Sequence, residues 1–189
     1  MLLSSQLHFV YVAQYMTLLF IASFLLYFID KTKRNDKTAF LLAAVDASLI
    51  AFLMISRLEF TILFLSLLIA VGMSGKIDKP QFYVGAFLVI VFFLLYGNYD
   101  MKDATDLIKT LTTCNVFGCS RPIMFLLLIF AFAFDEYLHD KFPERYKSRV
   151  LFPFMTFFLL LGNIIGFDMF ACFLAFDFGY AAFRFTKVE

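Results

Sequence analysis

The sequence predicts an all-α fold in which one bundle of short helices crosses a membrane, and three observations carry that prediction. Hydrophobic residues fill 62% of the 189 positions and charged residues 16%, whereas soluble domains hold about 45–50% and about 25%. A globule of this size has too much surface to hide so many apolar side chains. The apolar residues also fall in seven runs, none of which alternates with the period of two that a membrane barrel needs. In hydrocarbon the backbone must be paired within its own segment, which leaves the helix as the spanning form.

The runs cover residues 7–29, 38–56, 60–74, 82–97, 122–138, 150–167 and 169–183 of a chain expected to form one transmembrane domain over 1–189. The first run has no basic residue before it and is too long for the core of a signal peptide, so it is expected to remain as a span. Several others have only 15 to 17 residues. At 1.5 Å per residue these fall short of the roughly 30 Å hydrocarbon core, so thinning of the bilayer or a re-entrant pair is expected, and the crossings number five to seven. With 29 Phe and no Trp, the interfacial aromatic role passes to Tyr27, Tyr83, Tyr96, Tyr99 and Tyr137 near the run ends.

Basic residues set the expected orientation. Lys31, Lys33, Arg34, Lys37, Lys76, Lys79, Lys141, Arg145, Lys147, Arg149, Arg184 and Lys187 fall in alternate connections, and only Arg57, Lys102, Lys109 and Arg121 in the others. The positive-inside rule makes the richer side cytoplasmic, with the N-terminus outside and the C-terminus inside, as in a bacterial inner membrane protein. A net charge of +1 and the scattering of the basic residues exclude direct binding of nucleic acid.

The connection 98–121 is expected on the outside. Asn98 and Asp100 are capping residues, and Met101, Ala104, Leu107, Ile108 and Leu111 share one helical face, which predicts a helix lying on the membrane surface. Its polar face, Lys102, Asp103, Asp106 and Lys109, is nearly balanced and suits a cover over the bundle better than a binder of lipid headgroups. Cys114 and Cys119 follow, and the residues between them can turn tightly enough to join the thiols. The pair is either a disulfide or two free thiols. As a redox pair it would resemble the exposed cysteines of membrane thiol oxidases, yet the third cysteine, Cys172, lies within a run and supplies no second pair.

Polar residues inside the runs are the next candidates, because a carboxylate at mid-membrane costs at least about 2.5 kcal/mol and is usually kept for a partner or a pathway. Asp46 lies among Ala43, Ala47 and Ala51, whose spacing lets another helix approach closely. Asp177 lies beside Gly179. Together with Gln14 and Asn163 these acids form a candidate ion or proton pathway, set against the plainer reading of protonated carboxyls that bond neighbouring helices. Gly162 and Gly166 make a GxxxG pattern suited to helix packing and homo-oligomerisation.

The cytoplasmic loop 139–149 and the residues just before it are the most charged part of the chain. Asp135, Glu136, His139, Lys141, Arg145, Lys147 and Arg149 are expected to dock a cytoplasmic protein. Glu136 and His139 have the spacing of a carboxylate-bridged metal site, but such a site needs a second copy that the sequence lacks, so no metal is expected. His8, the other histidine, marks the water boundary. No phosphate-binding loop, nucleophile elbow or zinc-protease motif is present. The chain is therefore expected to be a non-enzymatic membrane subunit without a cofactor, of the kind found in secretion, exclusion or phage-defence assemblies. An ion channel or small transporter using Asp46 and Asp177, and a thiol oxidoreductase using Cys114 and Cys119, are the alternatives.

Overall fold

The computed structural model describes residues 2–32, 36–74, 79–96, 120–141 and 151–181. Each of the seven apolar runs holds one helix, and no strand occurs among the described residues. The helices are α1 (Leu2–Lys31), α2 (Lys37–Ser56), α3 (Leu58–Met73), α4 (Pro80–Tyr96), α5 (Ser120–Lys141), α6 (Leu151–Leu161) and α7 (Phe167–Ala181). Segments 9–31 and 37–56 are long and apolar enough to cross a membrane, and α3, α4 and α6 are shorter apolar helices. The surface helix expected before residue 120, with Cys114 and Cys119, lies outside the described residues, as do Arg145, Lys147 and Arg149.

Local chemistry sets the helix boundaries. Asp36 caps α2 by accepting from the Thr38 amide at 2.9 Å, which satisfies one of the free amides of a helix start. Arg57 alone separates α2 from α3. Its extended backbone ends one helix, its N–H donates to the Leu53 carbonyl, and its own carbonyl accepts from the Phe60 and Thr61 amides. The Thr61 hydroxyl then donates back to the Met54 carbonyl at 2.6 Å, locking the corner.

The expected run 150–167 divides differently from its GxxxG reading. Helix α6 ends at Leu161, the Ile164 amide donates to the Leu159 carbonyl and the Asn163 amide to the Leu160 carbonyl. This is the Schellman pattern, with Asn163 in the left-handed position at φ 54°. Asparagine tolerates that conformation better than most residues. Gly162 and Gly166 consequently sit in the turn between α6 and α7 and share no helix face, so the packing and self-association expected from them lose their motif.

The helices pack as a closed circuit. α1 lies on α2 and α7, α3 on α2 and α5, and α6 on α5 and α7, while α4 packs chiefly on α2. The start of α3 is buried on every side, from Phe60 through Phe64. Around it a cluster of rings joins four helices: Phe64 meets Phe176 edge-on at 5.6 Å, Phe152 stacks on Phe132 at 4.6 Å, and Phe152 also touches Phe173 and Phe176. Such pairs add roughly 0.5–1.5 kcal/mol each beyond the area they bury. Where α1 crosses α7 the backbones touch. A Cβ added at Gly179 would overlap the Phe20 carbonyl oxygen, and the Ser23 hydroxyl donates to the Phe176 carbonyl.

Candidate functional site

Helices α2 and α4 carry the buried polar side-chain atoms that have no hydrogen-bond partner among the described residues. The stripe Ala39, Ala43, Ala47 and Ile50 turns inward on α2, and its small side chains let α4 come close. Gly85 of α4 faces this stripe, with its Cβ direction aimed at Ala43 Cβ, 3.6 Å away. Gln81 lies one turn earlier on α4, and Asp46 one turn later than Ala43 on α2. Both are buried, Asp46 with 2% and Gln81 with 0% of its surface exposed. Asp46 Oδ1 and both polar atoms of the Gln81 amide have no hydrogen-bond partner, and each buried unpaired group of this kind costs about 1–3 kcal/mol.

Asp46 and Gln81 do not pair with each other because α2 and α4 run in the same direction. Lys79, immediately before α4, donates to the carbonyls of Asp30 and Thr32 at the end of α1, the end at which α2 also begins. The Ala43–Gly85 contact therefore lies between the two polar residues. With a rise of 1.5 Å per residue they are about 10 Å apart along the helix axes.

Only Asp46 among the four expected pathway residues is fully buried. Gln14 lies on the exposed face of α1 with Phe9, Val10, Ala13 and Thr17. Asn163 caps α6 at one end of the bundle, and Asp177 is half-buried in the last turns of α7. They are thus spread over the exposed face of α1, the turn after α6 and the side of α7, while Asp46 is buried on α2. Gln81 was not among the expected residues. At the margin of its run it reads as a boundary residue, and only the packing of α4 on α2 turns it inward.

The expected docking residues divide as well. Asp135 and Glu136 are each 5% exposed, so they face into the bundle. Asp135 caps α6 from another helix, its two carboxylate oxygens accepting from the Leu151 and Phe152 amides at 2.9 and 2.8 Å. An anion at that place also meets the positive end of the helix dipole. Lys141, by contrast, is exposed, and its ammonium donates to the Tyr137 hydroxyl at 2.9 Å, which holds the lysine above its ordinary value. His139 belongs to α5.

No protein-family model, curated protein or solved structure matches this chain. Its chemistry therefore rests on the residues themselves. At the other end of the bundle, unforeseen in the sequence, Arg57 reaches Asp168 at 3.3 Å and Glu59 at 3.6 Å. This small network ties the α2–α3 corner to the start of α7 across 111 positions. No group of three or more His, Cys, Asp or Glu side chains able to hold a metal ion occurs among the described residues.

Proposed function

We propose that the chain is a polytopic integral membrane protein that works as a non-enzymatic subunit, presenting its basic end to a cytoplasmic partner. One observation carries the membrane part: most side chains exposed along α4 and on the neighbouring helices are apolar, while Asp46, Thr61, Ser66 and Gln81 are buried. The outward positions of α4 are Tyr83, Val84, Phe87, Ile90, Leu94, Leu95 and Tyr96, while its Gln81 is buried. Leu126, Phe154 and Phe178 are likewise more than half exposed. A helix at a water surface shows the opposite arrangement. The outward hydroxyls fit the same reading, since Thr17 and Ser48 donate to the carbonyls of Ala13 and Ala44 in their own helix, as hydroxyls do where no water competes.

The orientation is supported by which connections meet. Lys79 reaches Asp30, so the first and third connections share an end, and Arg57 reaches Asp168, so the second and sixth share the other. Helices that run through the full depth of a bilayer give that pairing. The end carrying Lys31, Lys37 and Lys79 is then the cytoplasmic one, together with Tyr137 and Lys141.

Two measurements test the proposal. Val45, near the middle of α2, is 52% exposed, and Val45→Lys at a lipid-facing position costs about 2.5–3.5 kcal/mol. It should reduce membrane insertion, whereas a chain surrounded by water would tolerate it and need no detergent to stay monodisperse. A pull-down in mild detergent should recover a cytoplasmic protein in stoichiometric amount, and lose it when Lys141, Arg145, Lys147 and Arg149 are neutralised together. Failure to recover one defeats the partner role and leaves the membrane reading intact.

A second reading, ion or proton conduction, is favoured by the unpaired carboxyl of Asp46. It predicts flux into liposomes that disappears in Asp46→Asn.

A further inference from the structure

We infer that the outward face of the first half of α1 is the contact between two copies of this chain, which lie side by side in the bilayer and pair their Gln14 amides. This rests on the membrane reading and not on the cytoplasmic partner. Helix α1 is the longest of the seven, and only its second half is enclosed: Leu19, Ala22, Ser23 and Ile29 are buried, whereas no residue from Phe9 to Leu18 is. On the side turned away from the bundle, Val10, Gln14, Thr17 and Ile21 follow one another at alternating steps of four and three residues, and all are exposed. With that spacing two parallel helices mesh along a seam. Around Gln14 the small side chains of Ala13 and Thr17 leave a shallow groove rimmed by Phe9, Val10 and Leu18, into which side chains of a facing helix fit.

Gln14 decides what covers this face. It lies about 25 Å from Lys31 along the helix axis, within the roughly 30 Å hydrocarbon core. Its neighbour Thr17 donates to the Ala13 carbonyl of the same helix, but the Gln14 amide has no hydrogen bond with another described residue. An acyl chain offers it neither donor nor acceptor, and an unmet polar group is costly in hydrocarbon. A carboxamide is both donor and acceptor, so two of them related by a twofold axis satisfy each other, each N–H meeting the other's C=O. All copies insert in one direction, which makes the two helices parallel, brings both Gln14 residues to the same depth and gives a contact that closes at two. A single polar residue in such a seam also fixes its register and the number of chains. The outward side of α4 has no group of this kind. Its Val84, Phe87, Ile90 and Leu94 are bulky and apolar and suit acyl chains. Self-association, which loses its motif at Gly162 and Gly166, thus has its place on α1.

Energy transfer between donor-labelled and acceptor-labelled copies of the full chain, reconstituted in vesicles of phosphatidylcholine and phosphatidylglycerol, tests this. Transfer should fall as lipid is added, following an equilibrium between monomer and dimer. Gln14→Leu should weaken association about tenfold, with Gln14→Asn between it and the parent, while Ile90→Ala on the outward side of α4 should leave it unchanged. Gln14 is exposed in the single chain, so Gln14→Leu should not lower the melting temperature of the diluted protein. In a chain with Cys114 and Cys119 changed to serine, Thr17→Cys should give a covalent dimer on mild oxidation, and Ile90→Cys none. The proposal is overturned if no transfer occurs at any dilution, if Gln14→Leu associates as tightly as the parent, or if Ile90→Ala weakens association equally. An inserted monomer whose Thr17→Cys links within its own chain to Cys114 or Cys119 would assign the face to the connection 98–121, and one that links to nothing would assign it to lipid. Both outcomes overturn the proposal and leave the membrane reading intact, whereas a chain monodisperse in water without detergent would defeat that reading itself.

Discussion

Replacing Gly179 by alanine tests the packing of α1 on α7 at the point where the two backbones are closest. A Cβ at this position would overlap the Phe20 carbonyl oxygen and lie 3.1 Å from both Phe20 C and Cα. The obstacle is backbone, which cannot rotate aside, so α1 and α7 must separate by about 1 Å to restore a van der Waals distance. Overpacking of this kind costs about 1–3 kcal/mol, and stretching the Ser23 bond to Phe176 removes up to about 1 kcal/mol more. Against this stands the gain of about 0.5–1 kcal/mol from replacing a helical glycine with alanine. The net loss is about 2 kcal/mol. Gly72, in α3, is the internal control, because a Cβ there meets nothing within 4 Å and only the helix gain remains. Thermal unfolding in detergent should show Gly179→Ala melting about 4–8 °C lower than the parent and Gly72→Ala slightly higher. If Gly179→Ala melted at or above the parent temperature, the close crossing of α1 and α7 would be refuted.

Three further substitutions test other parts of the bundle. Asp135→Ala leaves the half-buried amide of Leu151 and the buried amide of Phe152 unpaired and should lower stability by about 1–3 kcal/mol in chemical denaturation, with Asp135→Asn intermediate because it keeps one acceptor. Phe173→Ala removes a fully buried ring from the central cluster and should cost about 3–5 kcal/mol; a loss below about 1 kcal/mol would mean that the rings do not hold the four helices together. A double-mutant cycle on Arg57 and Asp168, both partly exposed, should give a coupling under about 1 kcal/mol that shrinks as salt is added, and a large coupling insensitive to salt would place the pair in a drier setting than the structure gives it.

Some of the site was legible in residue types and spacing, and some was not. The burial of Asp46 followed from the alanines around it, since a stripe of small residues marks a face that another helix covers. Asn163 was read as a pathway residue and Gly162 and Gly166 as a helix face because a GxxxG pattern inside an apolar run looks continuous. The competing signal was Asn163 itself, a residue able to take the left-handed conformation that ends a helix. Asp135 looked like a surface charge because it opens a charged stretch, yet its carboxylate is spent on the amides at the start of α6. Arg57 counted only as an orientation marker, and its ion pair with Asp168 joins parts of the chain that no local pattern relates.

By itself the sequence determined that the described residues are helical and that each of the seven apolar runs holds a helix, because helix formation is a local property that the order of residues carries directly. The tertiary structure alone decided which helices touch, which polar side chains face inward and which pairs meet across the bundle. Those outcomes depend on how surfaces fit at a distance along the chain: on a missing Cβ at Gly179, the approach of Gly85 to Ala43, and a carboxylate of α5 placed over the first amides of α6.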